Sequence, residues 1–249
     1  MDTRNEINEI FQNYEVNIEK ISDNKDIQLL MENINNHVST EKPDAYLRLQ
    51  NIVYAIEHFQ ISQYKILKKD QDISRIAKGS RANRDKMKND RDFDYKPNID
   101  NLISALAKNI ESHSNSFLAY KEHISTIEEN IDKEYRLVIF IEDSTESGYI
   151  VKKRDTQPIN PLLLQQIVNI LLNYKEDIWG VIYVYGNEFQ KQMTGCTLEE
   201  LDEKRKKGCL LDSKDYVPFE VERNVHVSKS DEEEDTNTIT VKVFDYLRL

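Results

Sequence analysis

Apolar side chains recur at helical spacing through the first half of the chain. Ile7, Phe11, Tyr14, Ile18 and Ile21 are separated by steps of 4, 3, 4 and 3, the seam of a helix packed lengthwise on a neighbour. SDNKD (22–26) interrupts the pattern and IQLLMENI resumes it. A second helix is expected after Ser39-Thr40, with Leu49, Val53 and Ile56 facing inward, fading after Ile66-Leu67. From Pro97-Asn98 onward, Ile99, Leu102, Leu106, Ile110, His113, Phe117, Tyr120, Ile124, Ile127 and Ile131 alternate in steps of three and four. That predicts one unbroken helix of about 50 Å at 1.5 Å per residue. His113 takes a seam position that would otherwise be apolar, and the reading favoured for it is a ring nitrogen bonded across the helix interface rather than a pH-sensitive or metal-binding role. Through residue 130 the only breakers are Gly79, Pro43 and Pro97, which favours long helices.

The texture changes at Tyr135. YRLVIFIE is a continuous, β-branched apolar run, the mark of a central strand. STESG makes a turn, and YIVKK returns as a second strand, closing a β-hairpin. Asn160-Pro161 starts a helix, Asn at the N-cap and Pro at the first position, and PLLLQQIVNILLNY has a wide apolar face. Trp179-Gly180 leads into VIYVY, a third strand expected to return parallel to a neighbour. Thr197 and Glu200 form a capping box and Gly208 a C-terminal stop, with Cys196 and Cys209 just outside the two ends of that helix. FEVERNVHVS and TITVKVFDYL flank SDEEEDTN as a long-looped hairpin with a solvated acidic tip; the tip lacks the ligand spacing of an EF-hand loop.

The expected fold is therefore α+β: an N-terminal long-helix bundle, coiled-coil-like, over residues 1–131, then a small mixed α/β domain over 135–249. The helical half offers an oligomerisation surface. With 249 residues, 39% hydrophobic and 32% charged, the chain is more polar than an average globular one, which fits exposed helices.

Charge narrows the function. A net −11 argues against a general nucleic-acid or membrane-surface binder. One stretch runs the other way: SRIAKGSRANRDKMKNDR (74–91) holds Arg75, Lys78, Arg81, Arg84, Lys86, Lys88 and Arg91 against Asp85 and Asp90. This loop fits phosphate contact by charge neutralisation, or pairing with an acidic surface of a neighbouring subunit. No interleaved aromatic is present for base stacking. Two distant cysteines fit reduced thiols. No apolar stretch is long enough to span a bilayer and MDTRNEINEI lacks a secretory h-region, so a cytoplasmic protein is expected. Its Ile, Asn and Lys content fits an AT-rich bacterial genome or a mobile element within one. There is no glycine-rich phosphate loop, G-x-S-x-G elbow or H-E-x-x-H pair.

The order strand, turn, strand, helix, strand over residues 135–186 resembles the core of the PD-(D/E)XK nuclease superfamily. There an acidic residue ends one strand, an (E/D)-x-K triplet lies on the next, and a helix sometimes carries a glutamine. The resemblance implies Glu142 or Asp143 as the Mg²⁺ carboxylate, Lys152 as the lysine that positions the attacking water, and Gln166 as the helix glutamine. Pairing across the turn makes Glu142 and Lys152 diagonal neighbours about 7–8 Å apart, with Asp143 on the other face. Ile150 and Val151 stand two positions before Lys152 and Lys153 where the family has a carboxylate; read as the triplet itself, Glu142-Asp143-Ser144 has serine in place of lysine. Two functions follow. The leading one is an interaction or accessory protein, oligomeric through the helices, contacting nucleic acid through 74–91 and placed in a bacterial mobile-element or phage-defence system, for which the sequence identifies no certain cofactor. The alternative is a metal-dependent nuclease using Mg²⁺.

Overall fold

The computed structural model describes residues 6–63, 98–127, 134–143, 148–155, 157–186, 190–220, 222–223 and 239–240. Its frame is a curled, mixed sheet of seven strands drawn from both ends of the chain. In chain order they are β1 (Glu15–Glu19), β2 (Val38–Ser39), β3 (Ala45–Leu49), β4 (Ile52–Ile61), β5 (Glu134–Asp143), β7 (Gly180–Gly186) and β8 (Gln190–Thr197). Across the sheet they run β1-β8-β7-β5-β4-β3-β2. The middle is parallel, β4 beside β5 and β5 beside β7, while β3 and β8 run antiparallel to their inner neighbours and β1 lies parallel to β8.

This overturns the N-terminal helix bundle: the described residues of that half contain no coiled coil and no long helix before residue 98. The helical seam at Ile7 to Ile21 stops at Asn13. Helix α1 (Glu6–Asn13) ends there and β1 begins two residues later, paired with β8. The segment expected as a second helix is the β3–β4 hairpin. Ile52 to Ile56 is apolar at every position because β4 is covered on both faces. Such a strand shows no period, and a 4, 3 spacing can be picked out of it by chance.

Periodicity succeeded where one face only is covered. Helix α2 (Lys25–Asn33) buries Ile27, Leu30 and Met31. The long helix expected from residue 99 is two, α3 (Ile99–Ser114) and α4 (Phe117–Ile127). They are interrupted within SHSNS (112–116), where Ser116 N donates to His113 O at 2.8 Å. Ser and Asn side chains compete with helical hydrogen bonding, so the break has a local cause. Between them α3 and α4 bury Leu102, Leu106, Ile110, Phe117, Tyr120 and Ile124 against the sheet.

The β5–β6 hairpin is also corrected. Both edges of β5 are taken by parallel strands, so β6 (Gly148–Lys152) pairs instead with β9 (Tyr216–Glu220) in a separate two-stranded sheet. Asn160 does cap the next turn, accepting from Leu162 N at 2.9 Å. The turn is a 3-10 helix (Pro161–Leu163) before α5 (Gln165–Leu172). The capping box of Thr197 and Glu200 opens α6 (Leu198–Lys206), and Gly208 follows it with φ +67. Two residue pairs, between β10 (Glu222–Arg223) and β11 (Ile239–Thr240), are the described part of the C-terminal hairpin; its acidic tip lies outside the described residues.

Two hydrophobic cores sandwich the sheet. One lies between α1 and α2 and the face bearing Tyr54, Ile56, Val138, Phe140, Ile182 and Val184. The larger lies between α3, α4, α5 and α6 and the face bearing Val53, Ala55, Phe59, Leu137, Ile139, Val181 and Tyr183. No helix among the described residues is long and apolar enough to cross a membrane.

Candidate functional site

The apolar faces of the central strands give way to polar side chains at their carboxyl ends. In parallel register Gln60 lies beside Glu142 and Ile61 beside Asp143. Alternation sends the two acids to opposite faces. Glu142 Oε2 accepts from Gln60 Nε2 at 3.2 Å and lies 3.3 Å from His58 Nε2. The other nitrogen of His58, Nδ1, is 3.0 Å from Glu6 Oε2 on α1. Burial by itself lowers the affinity of the His58 ring for a proton, but contacts with Glu142 and then Glu6 outweigh it, and its pKa is pushed up to about 10. At neutral pH it is an imidazolium clamped between two carboxylates.

On the opposite face Asp143 Oδ2 accepts from Gln63 Nε2 at 3.4 Å. Burial, then the charge of Asp143, raises the phenol of Tyr183 well above its usual range; its hydroxyl is fully enclosed, with no hydrogen-bond partner among the described residues. Lys191 on β8 is only 2% exposed. Its Nζ donates to the backbone oxygen of Asp143 at 2.8 Å and stands 5.3 Å from the centre of the Tyr14 ring, so a buried charge is met by a carbonyl and a π face.

The residues expected to complete a nuclease motif lie elsewhere. Lys152 is exposed on β6, in register with Tyr216 of β9, and Gln166 Oε1 accepts from Tyr216 OH at 2.7 Å. Lys152 is therefore not a diagonal neighbour of Glu142, and no hydrogen bond or ion pair among the described residues joins Lys152 or Gln166 to Glu142 or Asp143. Nor does any group of three or more His, Cys, Asp and Glu among the described residues stand close enough to hold a metal ion. Among the described residues, Glu142 and Asp143 are therefore joined by no third ligand of these types.

Arg75, Lys78, Arg81, Arg84, Lys86, Lys88 and Arg91 lie outside the described residues, but the segment's roots do not. Asn98 N donates to Gln63 O at 2.9 Å, and Asn101 Nδ2 donates to the same oxygen at 3.2 Å. The chain from 64 to 97 thus leaves and re-enters at one point, the carboxyl end of β4, one strand from Glu142 and Asp143.

A second polar cluster sits on the helical face. Glu57 of β4 is buried there, and its Oε1 lies 2.6 Å from His113 Nδ1 and accepts from Tyr120 OH at 3.2 Å. The break between α3 and α4 brings those two partners to one carboxylate. His113 thus bonds through one nitrogen, to Glu57 on the strand at 2.6 Å and to Tyr120 OH on α4 at 3.1 Å. Burial, then the charge of Glu57, raises the Tyr120 phenol. Asp44 stands next to the start of β3, so continuing the register sets it against Glu57. Its Oδ2 accepts from His58 N at 2.8 Å. Burial, then Glu57, raises its carboxyl to about 6 against that hydrogen bond.

Sequence reading missed Glu6, Asp44, Glu57, His58 and Lys191. The signal for two of them is visible in AIEHFQI, where adjacent charged residues interrupt an apolar run and alternation must bury both. Comparison with family models, curated proteins and solved structures finds no match to this chain.

Proposed function

We propose that the chain is a nucleic-acid-contacting interaction or accessory protein whose basic segment 74–91 binds phosphate. The observation that carries this reading is the closure of that segment at its roots by the Asn98–Gln63 hydrogen bond. A connection of 37 residues (62–98) between β4 and α3 is longer than a crossover needs, and long connections on a rigid frame are disproportionately functional. It rises at the carboxyl end of the central parallel strands, where open sheets carrying parallel strands bind ligands. The surrounding chain is acidic, net −11 overall, so it repels phosphate and confines contact to this one basic segment.

The test is fluorescence anisotropy with labelled duplex DNA, single-stranded DNA and RNA between 50 and 200 mM salt. The wild type is compared with a variant carrying Arg81→Gln, Arg84→Gln, Lys86→Gln and Lys88→Gln. Each side chain that touches duplex phosphate contributes about 0.9 to the slope of log K against log salt. The quadruple variant is expected to bind more weakly with a slope lower by about 3–4. A wild type that binds none of the three at 50 mM salt, or a variant with an unchanged slope, sinks the reading.

A further inference from the structure

The buried charges at the carboxyl ends of the central strands lie beneath a short helix. α1 (Glu6–Asn13) buries Ile7 and Ile10. Tyr14 alone separates it from β1, where five register pairs hold the chain to β8. Both ends of this segment reach a buried cation. Glu6 Oε2 stands 3.0 Å from His58 Nδ1, and the Tyr14 ring lies 5.3 Å from Lys191 Nζ. Lys191 is the register partner of Val16, two residues beyond Tyr14, so the ring sits beside the strand position it shields.

The two carboxylates on His58 are unequal. The side chain of Glu142 is 10% exposed and that of Glu6 is 68% exposed. If α1 lifts, Glu6 moves from a largely wet position into water, and the buried imidazolium keeps Glu142 at 3.3 Å. A buried charge stripped of its partner opposes such a motion strongly; here the inner partner stays. Backbone bonding separates the elements in the same way. Tyr14 N bonds back to Ile10 O at 3.0 Å, and no backbone hydrogen bond joins α1 to a strand among the described residues. β5 is bonded along both edges. An element with few buried side chains and no share in the sheet's ladder opens at lower free energy than the strands beneath it.

We propose that α1 with Tyr14 is a hinged cover over the polar ends of β4, β5 and β8, fastened by Glu6 on His58, which opens as a unit while the sheet stays folded. The hinge is the single residue between helix and strand. Closed, the cover keeps His58 and Lys191 from water. Open, it presents both at the end of the sheet where parallel strands take ligands. The device is independent of phosphate contact by the basic segment, since it is built from α1 and the strand ends alone.

The experiment follows hydrogen–deuterium exchange by mass spectrometry in the full chain, beside acetylation of lysine amines by an N-hydroxysuccinimide ester. Wild type and Glu6→Gln are compared from zero urea to just below the unfolding transition. The amides of Ile10 to Tyr14 are expected to exchange at least about tenfold faster than those of β5, with little dependence on urea. Glu6→Gln is expected to raise that exchange and the acetylation of Lys191 together, by at least about threefold. Exchange in β5 and acetylation of exposed Lys153 should not change. Exchange of α1 at the β5 rate, with the same urea dependence, overturns the inference, because the helix would then leave only on global unfolding. Faster exchange in α1 without faster acetylation of Lys191 also overturns it, since the helix would fray and uncover nothing. An α1 exchange rate unchanged in Glu6→Gln does so too, by removing the fastening.

Discussion

Asp44 is held in a charged neighbourhood that the fold does not neutralise. Its pKa is raised from 3.8 to about 6, first by burial and then by Glu57. A group whose folded pKa is raised contributes stability that is full below the unfolded pKa and is lost as pH climbs through the folded one. The window is therefore pH 3.8 to about 6, and above it the ionised carboxylate costs up to about 3 kcal/mol at 1.36 kcal/mol per unit. Asp44→Asn keeps an oxygen to accept from His58 N and removes the charge. Urea unfolding at pH 8 is expected to show it more stable than wild type by up to about 3 kcal/mol, and near-equal to it at pH 3.5. An equal effect at both pH values would mean that charge is not the cause. Residues of this kind were partly legible in the sequence. The pair Glu142-Asp143 at the end of an apolar run announced a strand terminus, while Glu57-His58 inside another carried a signal of buried polarity that the helical reading of that stretch passed over. Lys191 gave no signal, because its cage is made by a carbonyl from β5 and a ring that follows α1.

At the scale of elements, the contact between α2 and β8 depends on one missing side chain. A Cβ on Gly195 would stand 2.8 Å from Met31 Sδ and 3.1 Å from Ile27 Cγ1, inside van der Waals contact. Gly195→Ala is expected to destabilise the protein by about 1–3 kcal/mol, the usual cost of overpacking. Met31→Ala in the same background is expected to recover part of that loss, since the two sites share one contact. Thermal melts of the two single variants and the double variant measure the coupling, and strict additivity would place the strain elsewhere. Helix ends were readable because caps are local: Asn160, Thr197 with Glu200, and Gly208 all act where their neighbours in sequence indicated. The β3–β4 hairpin was not, because a strand covered on both faces loses the alternation that marks a strand. The pairing of β6 with β9 was not readable either, since it depends on β5 having both edges occupied.

Across the whole molecule, the sheet joins residues 15–61 to residues 134–197 through ten register pairs between β4 and β5. Ile56 lies in the same core as Val138 and Ile182, with Trp179 packed against it. Ile56→Ala is expected to cost about 2–5 kcal/mol and to shift a single unfolding transition. Trp179 fluorescence and far-ultraviolet circular dichroism should report that transition at the same urea midpoint. Two separated transitions would show that the halves unfold independently.

The sequence by itself determined what depends on near neighbours. These features are the amphipathic faces of α2, α3 and α4, the caps, the strand character of residues 134–143 and 180–186, and the segregation of positive charge into 74–91. Only the tertiary structure decided which strands share a sheet, where the long helix breaks, and which carboxylates meet which histidines. The physical reason is that a strand's hydrogen-bond partners, and the partners of a buried charge, are supplied by residues distant in the chain. Local spacing records which side chains avoid water, and it is silent on what meets them when they do.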